Sequence, residues 1–212
     1  MTSRRILKEL KDLENDPDCG ITITPNNPSD LTQLTGSFPA PPDTPFTGGT
    51  YHVSIALPPT YPFAPPNIKF TTPIWHPNIS SQTGAICLDT LGKKWTPVLT
   101  LKTALISLRC LLAAPEPDDP QDAEVAGMMK SDREGWWRKA REWAVRFAGA
   151  GEGEEGTGEG GVEERKWEVE ERLVGMGFAR EAVRGVLEGM GVKWGEELGE
   201  KRNMEAVERL LV

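Results

Sequence analysis

The connections between strand-like runs constrain the fold of this chain most. Residues 39–42 and 61–66 are rich in proline, which cannot donate to the ladder of a central strand. These residues are therefore predicted to be corners between neighbouring strands. In residues 50–57, apolar side chains alternate with polar or small ones, as in a strand with one buried face. Such short connections favour an antiparallel meander. The strand-like runs are residues 31–38, 50–57 and 67–71.

Helical spacing of apolar residues dominates the rest of the first 148 residues, which predicts an α+β domain. Thr100 is placed to cap a central buried helix, and prolines at 115, 117 and 120 end it. Ser131 and Glu134 have the spacing of a capping box for the next helix. The first helix has a basic face, made by Arg4, Arg5, Lys8 and Lys11. The apolar sets are Ile6, Leu10 and Leu13; Leu101, Leu105, Leu108 and Leu112; and Trp136, Ala140, Trp143 and Phe147.

The composition changes after residue 148. The net charge of −8 arises there, because residues 1–148 hold 15 basic and 16 acidic residues, whereas residues 149–212 hold 9 and 16. This acidity argues against a nucleic-acid-binding surface. Residues 149–161 are almost entirely glycine and glutamate, which predicts a flexible linker. Residues 162–212 show three helical patterns, which predicts a small all-α module.

Residues 74–97 hold the candidate chemistry on a stretch with little hydrophobic periodicity, which indicates an irregular loop. Cys87 is the candidate nucleophile, because a cysteine forms a thioester that an amine attacks readily. Asn78 can donate a side-chain N–H to the tetrahedral oxyanion if the loop folds back on Cys87. His76 lies next to Pro77, and we assign it to shaping the loop.

The motif His76-Pro77-Asn78, then Cys87 with Leu88-Asp89, then Trp95, resembles the catalytic segment of ubiquitin-conjugating enzymes. The motifs at 61–66 and 116–120 are similar to that family's too. The resemblance implies the ubiquitin-conjugating fold, with ubiquitin received as a thioester on Cys87 and passed to lysine. It implies that Asp119 serves the incoming amine. It gives Pro77, Asp89 and Trp95 structural places at the active site.

The same resemblance implies partners. They are ubiquitin, the ubiquitin-activating enzyme, ubiquitin ligases of the RING type and protein substrates. The surface expected to contact the activating enzyme and the ligases is formed by Arg5, Lys8, Phe63, Thr96 and Pro97. The alternative for Phe63 is a packed corner residue. The alternative for the basic face of the first helix is that it is simply solvated. No cofactor is expected, since ATP is consumed by the upstream activating enzyme.

Residues 176–178, Met-Gly-Phe, join the first two C-terminal helical patterns and are similar to the loop of the ubiquitin-associated (UBA) domain. The resemblance implies a ubiquitin-binding patch formed by Met176, Gly177, Phe178, Leu210 and Leu211. The alternative is that Met176 and Phe178 belong to the core of a small bundle. Residues 191–202 make an unusually long connection before the third helix. The whole combination resembles the class II subgroup that builds polyubiquitin chains for proteasomal degradation.

Other functional classes fit the residues less well. A cysteine hydrolase needs a histidine beside Cys87, and only His52 and His76 exist. The scattered cysteines and histidines match no metal-ligand spacing. A carrier of another ubiquitin-like modifier and a non-catalytic adaptor stay open as alternatives. Three cysteines without a CxxC pair suit a reducing compartment, so we expect the protein in the cytoplasm and nucleus. No run of eighteen apolar residues occurs, so we expect no membrane span. We also expect a monomer that does not bind nucleic acid.

Overall fold

A computed structural model of the protein describes residues 2–86 and 95–151, together with two dipeptides near the C-terminus. No helix among these residues is long and apolar enough to cross a membrane. The elements in chain order are α1 (Thr2–Glu14), a 3₁₀ turn (Pro17–Cys19), β1 (Thr22–Asn27), β2 (Asp30–Pro39), β3 (Thr50–Ala56), β4 (Asn67–Phe70), α2 (Leu101–Ala113), α3 (Ala123–Ser131) and α4 (Arg133–Ala148).

The four strands form one sheet in the order β1-β2-β3-β4, with every neighbouring pair antiparallel. The predicted meander is therefore confirmed. Strand β1 was not predicted; its six residues read Thr-Ile-Thr-Pro-Asn-Asn and are nowhere fully buried. A strand with one apolar residue and a proline has no alternating pattern, and Pro25 is tolerated because β1 is an edge strand.

Helix α2 is the central buried element, as its apolar repeat predicted. Thr100 and Thr103 cap it reciprocally, each side chain bonding the other residue's backbone N–H, at 3.2 and 2.9 Å. Leu105 approaches β2 so closely that a Cβ added to Gly36 would lie 2.9 Å from its Cδ1. Glycine at position 36 therefore allows the helix to settle onto the sheet.

Helix α4 is capped by Asp132, so the predicted capping box of Ser131 and Glu134 was wrong. Asp132 Oδ1 accepts the Gly135 N–H at 2.9 Å. Ser131 is instead the last residue of α3, and its hydroxyl donates to the Gly127 carbonyl at 2.9 Å. Because α3 and α4 are separated by one residue, the cap had to fall on Asp132.

The aromatic face of α4 packs against the domain, as predicted. Trp136 is buried and meets Phe46 edge to face, with the ring centroids 6.4 Å apart. Trp143 packs on Trp75 at 5.2 Å. Phe147, at the end of this face, stays partly exposed.

Two short strands are described within the segment 162–212, for which an all-α module is predicted. Strand β5 (Glu164–Arg165) pairs antiparallel with β6 (Glu197–Leu198). The first dipeptide falls in a predicted helix, which differs from this pairing, and the second falls in a predicted connection. Residues 163–166 are all charged, so no apolar position anchored a helix face there. The rest of the segment lies outside the described residues.

Candidate active site

The loop that follows β4 is held by buried polar contacts rather than by regular structure. His76, Pro77 and Asn78 are buried, and isolated bridges pair Ile79 with both His76 and Ile86. The bridge to Ile86 brings the residue that precedes Cys87 beside the residue that follows Asn78. Cys87 and Asp89 themselves lie outside the described residues.

His76 is fully buried and uses both ring nitrogens. Its Nδ1 accepts the Asn78 N–H at 3.1 Å, so Nε2 carries the proton and donates to the Leu111 carbonyl at 3.1 Å. Burial lowers the pKa of His76 from 6.5 to about 3, although the bond to Leu111 acts the other way. The imidazole is therefore neutral at physiological pH, and it ties the loop to helix α2.

The side chain of Asn78 is fully engaged with the turn after α2. Its Nδ2 donates to the carbonyls of Glu116 and Asp119, at 2.8 and 2.9 Å. Its Oδ1 accepts the Glu116 N–H at 2.8 Å. Both amide hydrogens thus have acceptors, and donation to an oxyanion requires one of these bonds to be given up.

Asp119 lies exposed on that turn, and its backbone is anchored at both ends. Its N–H donates to the Glu116 carbonyl at 3.3 Å, and its own carbonyl accepts from Asn78. The neighbouring Asp118 pairs with Lys130 at 2.8 Å, but both side chains are largely exposed, so this pair contributes little to stability. The candidate acid at 119 therefore projects from a turn that is fixed to the loop of residues 76–79.

A second set of bonds, missed by the sequence analysis, joins the same two segments. The Pro77 carbonyl accepts the N–H groups of Gln121 and Asp122, both at 2.9 Å. Asp122 Oδ2 accepts from Ser81, from N–H at 2.9 Å and from Oγ at 2.7 Å. Its Oδ1 accepts the Val125 N–H at 3.3 Å and so caps α3. The only local signal was an aspartate directly before a helix.

The charge on Asp122 is stabilised by these donors. Partial burial acts to raise the pKa of Asp122, but the hydrogen bonds from Ser81, Val125 and Glu124 outweigh it and hold the pKa below its usual value. The carboxylate is therefore ionised at neutral pH and accepts hydrogen bonds from Ser81 in the loop and from the N-terminus of α3 at once.

The segment 95–100 is bonded to the turn of residues 61–64 and to helix α1. Trp95 donates its indole N–H to the Pro62 carbonyl at 2.8 Å and lies near the ring of Tyr61, with centroids 6.0 Å apart. Thr96 and Pro97 are exposed, as are Lys8 and Phe63. Arg5 is half-buried and donates through Nη2 to the carbonyls of Pro97 and Leu99, at 3.3 and 3.1 Å.

The remaining candidate residues divide simply. Cys19 and Cys110 are buried and form no disulfide with each other. Within the described ranges, no three His, Cys, Asp or Glu side chains cluster closely enough to hold a metal ion. The candidate ubiquitin-binding residues Met176, Gly177, Phe178, Leu210 and Leu211 lie outside the described residues.

Comparison with known proteins decides the family. The model of the ubiquitin-conjugating enzyme family matches residues 5–144. This chain belongs to the ubiquitin-conjugating enzyme family. It is 46% identical to ubiquitin-conjugating enzyme E2 27 of Arabidopsis thaliana over 191 residues, which cover 88% of this chain and 91% of the relative. It is 43% identical to ubiquitin-conjugating enzyme E2 1 of Schizosaccharomyces pombe over 205 residues, covering 95% and 93%.

The solved structures agree. The E2 domain of a Toxoplasma gondii ubiquitin-conjugating enzyme is 45% identical, with a TM-score of 0.66, and covers 70% of this chain and 99% of its own. The α+β architecture described above is thus the ubiquitin-conjugating fold. The protein is a transferase that works through a cysteine thioester, and these relatives do not favour the alternatives of a carrier for another modifier or a non-catalytic adaptor.

Proposed function

We propose that Cys87 is the cysteine that carries ubiquitin in this ubiquitin-conjugating enzyme. Its thiolate attacks the thioester carbonyl of ubiquitin on the activating enzyme and releases that enzyme's thiol. A lysine amine then attacks the new thioester, and Cys87 leaves as the thiolate. The observation that carries this proposal is the bracing of the loop leading to Cys87 against the turn of residues 116–122, through both Asn78 and Asp122.

Positioning is the main contribution of this geometry to the reaction. The bonds of Asn78 and Pro77 fix the turn that bears Asp119, which accepts a hydrogen bond from the incoming lysine as the amine loses its proton. Asn78 supplies an N–H to the oxyanion by exchanging one of its two carbonyl acceptors. His76, Pro77, Asp89 and Trp95 serve as structural residues around this site.

The surface made by α1 and the two exposed turns is proposed to receive the activating enzyme and RING-type ligases. Lys8, Phe63, Thr96 and Pro97 are exposed there, so they are available for contact. Arg5 contributes mainly by supporting the turn behind this surface, because its guanidinium donates to the carbonyls of residues 97 and 99.

For the whole chain we propose three parts: a catalytic domain at 1–148, a linker at 149–161 and a UBA-like module at 162–212. The similarity to the fission yeast relative covers 95% of the chain, so it extends beyond the catalytic domain. We propose that the module binds ubiquitin through Met176, Gly177, Phe178, Leu210 and Leu211, and that the enzyme builds class II type polyubiquitin chains for proteasomal degradation. Saturable binding of ubiquitin that Phe178→Ala abolishes would support this patch.

The enzyme is further proposed to act as a monomer, without a resident cofactor, in the cytoplasm and nucleus. Sedimentation at micromolar concentration tests the monomer. A fluorescent fusion of the full chain tests the location.

The deciding experiment is thioester formation. The chain is incubated with activating enzyme, ubiquitin and ATP, and run on a non-reducing gel beside a thiol-treated lane. We expect a ubiquitin-sized shift that thiol removes and that Cys87→Ala lacks. Cys110→Ala is the matched control, because it removes a buried thiol and should still load. A thiol-sensitive shift that persists in Cys87→Ala would contradict the proposal.

A further inference from the structure

Three exposed apolar side chains lie on the segments that form the proposed contact surface. Leu7 on α1 is 55% exposed, Phe63 in the turn of residues 61–64 is 81% exposed, and Val98 is 78% exposed. Large apolar side chains exposed to this degree are typical of binding surfaces. The three come from parts of the chain that are far apart in sequence, so something must hold their backbones in a common arrangement.

The side chain of Glu9, on α1, bonds the turn of residues 61–64 directly and reaches the Val98 turn through Arg5. It is only 4% exposed, although it is a carboxylate. Its carboxylate accepts a hydrogen bond from the Tyr61 hydroxyl, which lies 2.9 Å from each carboxylate oxygen. It accepts another from the Leu101 N–H at 2.8 Å. It also pairs with Arg5 Nε, and Arg5 continues to the carbonyls of Pro97 and Leu99.

The chemistry of this junction suits a carboxylate and no other side chain. Oε1 accepts from Arg5 and Oε2 accepts from Leu101, so each oxygen faces at least one N–H donor. The Leu101 N–H opens helix α2, where a negative charge is favourable. Burial, together with the nearby Glu9 charge, raises the pKa of Tyr61, so its hydroxyl keeps the proton that it donates.

We propose that Glu9 is the positioning residue of the partner-binding surface: it holds α1, the Phe63 turn and the Val98 turn in the one arrangement that the activating enzyme recognises. This inference rests on the proposed function. A surface that is already ordered loses less conformational freedom on binding, so the junction strengthens binding without touching the partner.

The test is the kinetics of ubiquitin transfer from the loaded activating enzyme to the full chain. Glu9→Gln replaces one acceptor oxygen by an NH₂ group, which then faces the N–H of either Arg5 or Leu101. We expect KM for the conjugating enzyme to rise about tenfold, which corresponds to about 1.4 kcal/mol, with kcat changed by less than about twofold. The indole N–H resonance of Trp95 should shift as well, because its acceptor, Pro62, follows Tyr61.

The matched control is Asp16→Asn, which makes the same carboxylate-to-amide change just after α1. Asp16 pairs with Lys102 on α2 and, among the described residues, has no bond to the Phe63 turn or the Val98 turn, so KM and the Trp95 resonance should stay as in the wild type. Tyr61→Phe removes one donor but leaves the carboxylate paired, so it should raise KM in the same direction by about threefold. It carries the test if Glu9→Gln does not fold.

The outcomes distinguish a failure of the proposed function from a failure of the role of Glu9. A wild-type chain that forms no thioester refutes the proposed function and this inference together. If the wild type loads normally and KM is unchanged in Glu9→Gln, the role of Glu9 alone is refuted. If Glu9→Gln does not fold, an unchanged KM in Tyr61→Phe refutes that role instead. A fall in melting temperature without a change in KM has the same meaning, because it makes the junction merely structural.

Discussion

Acidification tests the buried imidazole of His76 most directly. Burial lowers the pKa of His76 from 6.5 to about 3, so between these values the unfolded chain binds a proton that the folded chain does not. Stability therefore falls as pH decreases through this window. At roughly 1.4 kcal/mol per pH unit, acidification to pH 4.5 should cost about 3 kcal/mol, and the full effect approaches about 5 kcal/mol below pH 3.

The assay is urea unfolding followed by tryptophan fluorescence at a series of pH values between 7.5 and 4.5. Five of the seven tryptophans lie between residues 75 and 143, so the signal reports mainly on the catalytic domain. The depressed pKa of Asp122 places its own titration below this range. The m-value should stay constant while the midpoint falls, which shows a change in stability rather than in compactness.

Two glutamine variants make the assignment specific. His76→Gln removes the titrating group and keeps a side-chain donor for the Leu111 carbonyl, so it should flatten the pH dependence even if it lowers stability at neutral pH. His52 is the only other histidine of the chain and lies exposed on β3, so His52→Gln should keep the wild-type slope. A slope that persists in His76→Gln would refute the reasoning.

Three further predictions concern the bracing of the loop and the charge of Asp122. Asn78→Ala leaves the Glu116 N–H and two carbonyls without their partner, so it should destabilise the domain by about 2–3 kcal/mol. It should also slow transfer to lysine while sparing thioester loading, and single-turnover loading and discharge separate these two steps. An unchanged unfolding midpoint would contradict the bracing role. Asp122→Ala should lower the free energy of unfolding by about 1–2 kcal/mol, because α3 loses its cap. Ser81→Ala removes one bond to the same carboxylate and leaves the cap in place, so it should lower the free energy of unfolding by less. Equal losses in the two variants would argue against the cap. Because its pKa is depressed, the contribution of Asp122 should be present at neutral pH and lost as pH falls below 3.8, which denaturation of Asp122→Ala in acid would test.

The sheet and the central helix could be predicted because their signals are local. Alternation in β3 and the leucine repeat of α2 each arise within one element that buries one face. Strand β1 and the cap at Asp132 escaped prediction for a local reason too. The first lacks an apolar pattern, and the second competed with a serine and a glutamate at favourable spacing.

The contacts that build the site are long-range, and the sequence gives no sign of them. Asn78 was a candidate from its motif, but its acceptors lie 38 and 41 residues away. Glu9 looks like any charge on a solvated helix, and its burial depends on Tyr61 and Leu101, which are 52 and 92 residues distant. Spacing along the chain predicts which residues are chemically suitable, whereas only the fold determines what they contact.

The junction at Glu9 separates the support of a surface from its specificity. The groups that fix the backbone lie underneath, whereas Leu7, Phe63 and Val98 project outward and contribute little to the core. Substitution at these outward positions should therefore alter which partner is preferred at small cost to folding, as is usual for exposed sites. An engineer who wished to redirect this enzyme to a new ligase would vary those three side chains and leave the carboxylate beneath them untouched.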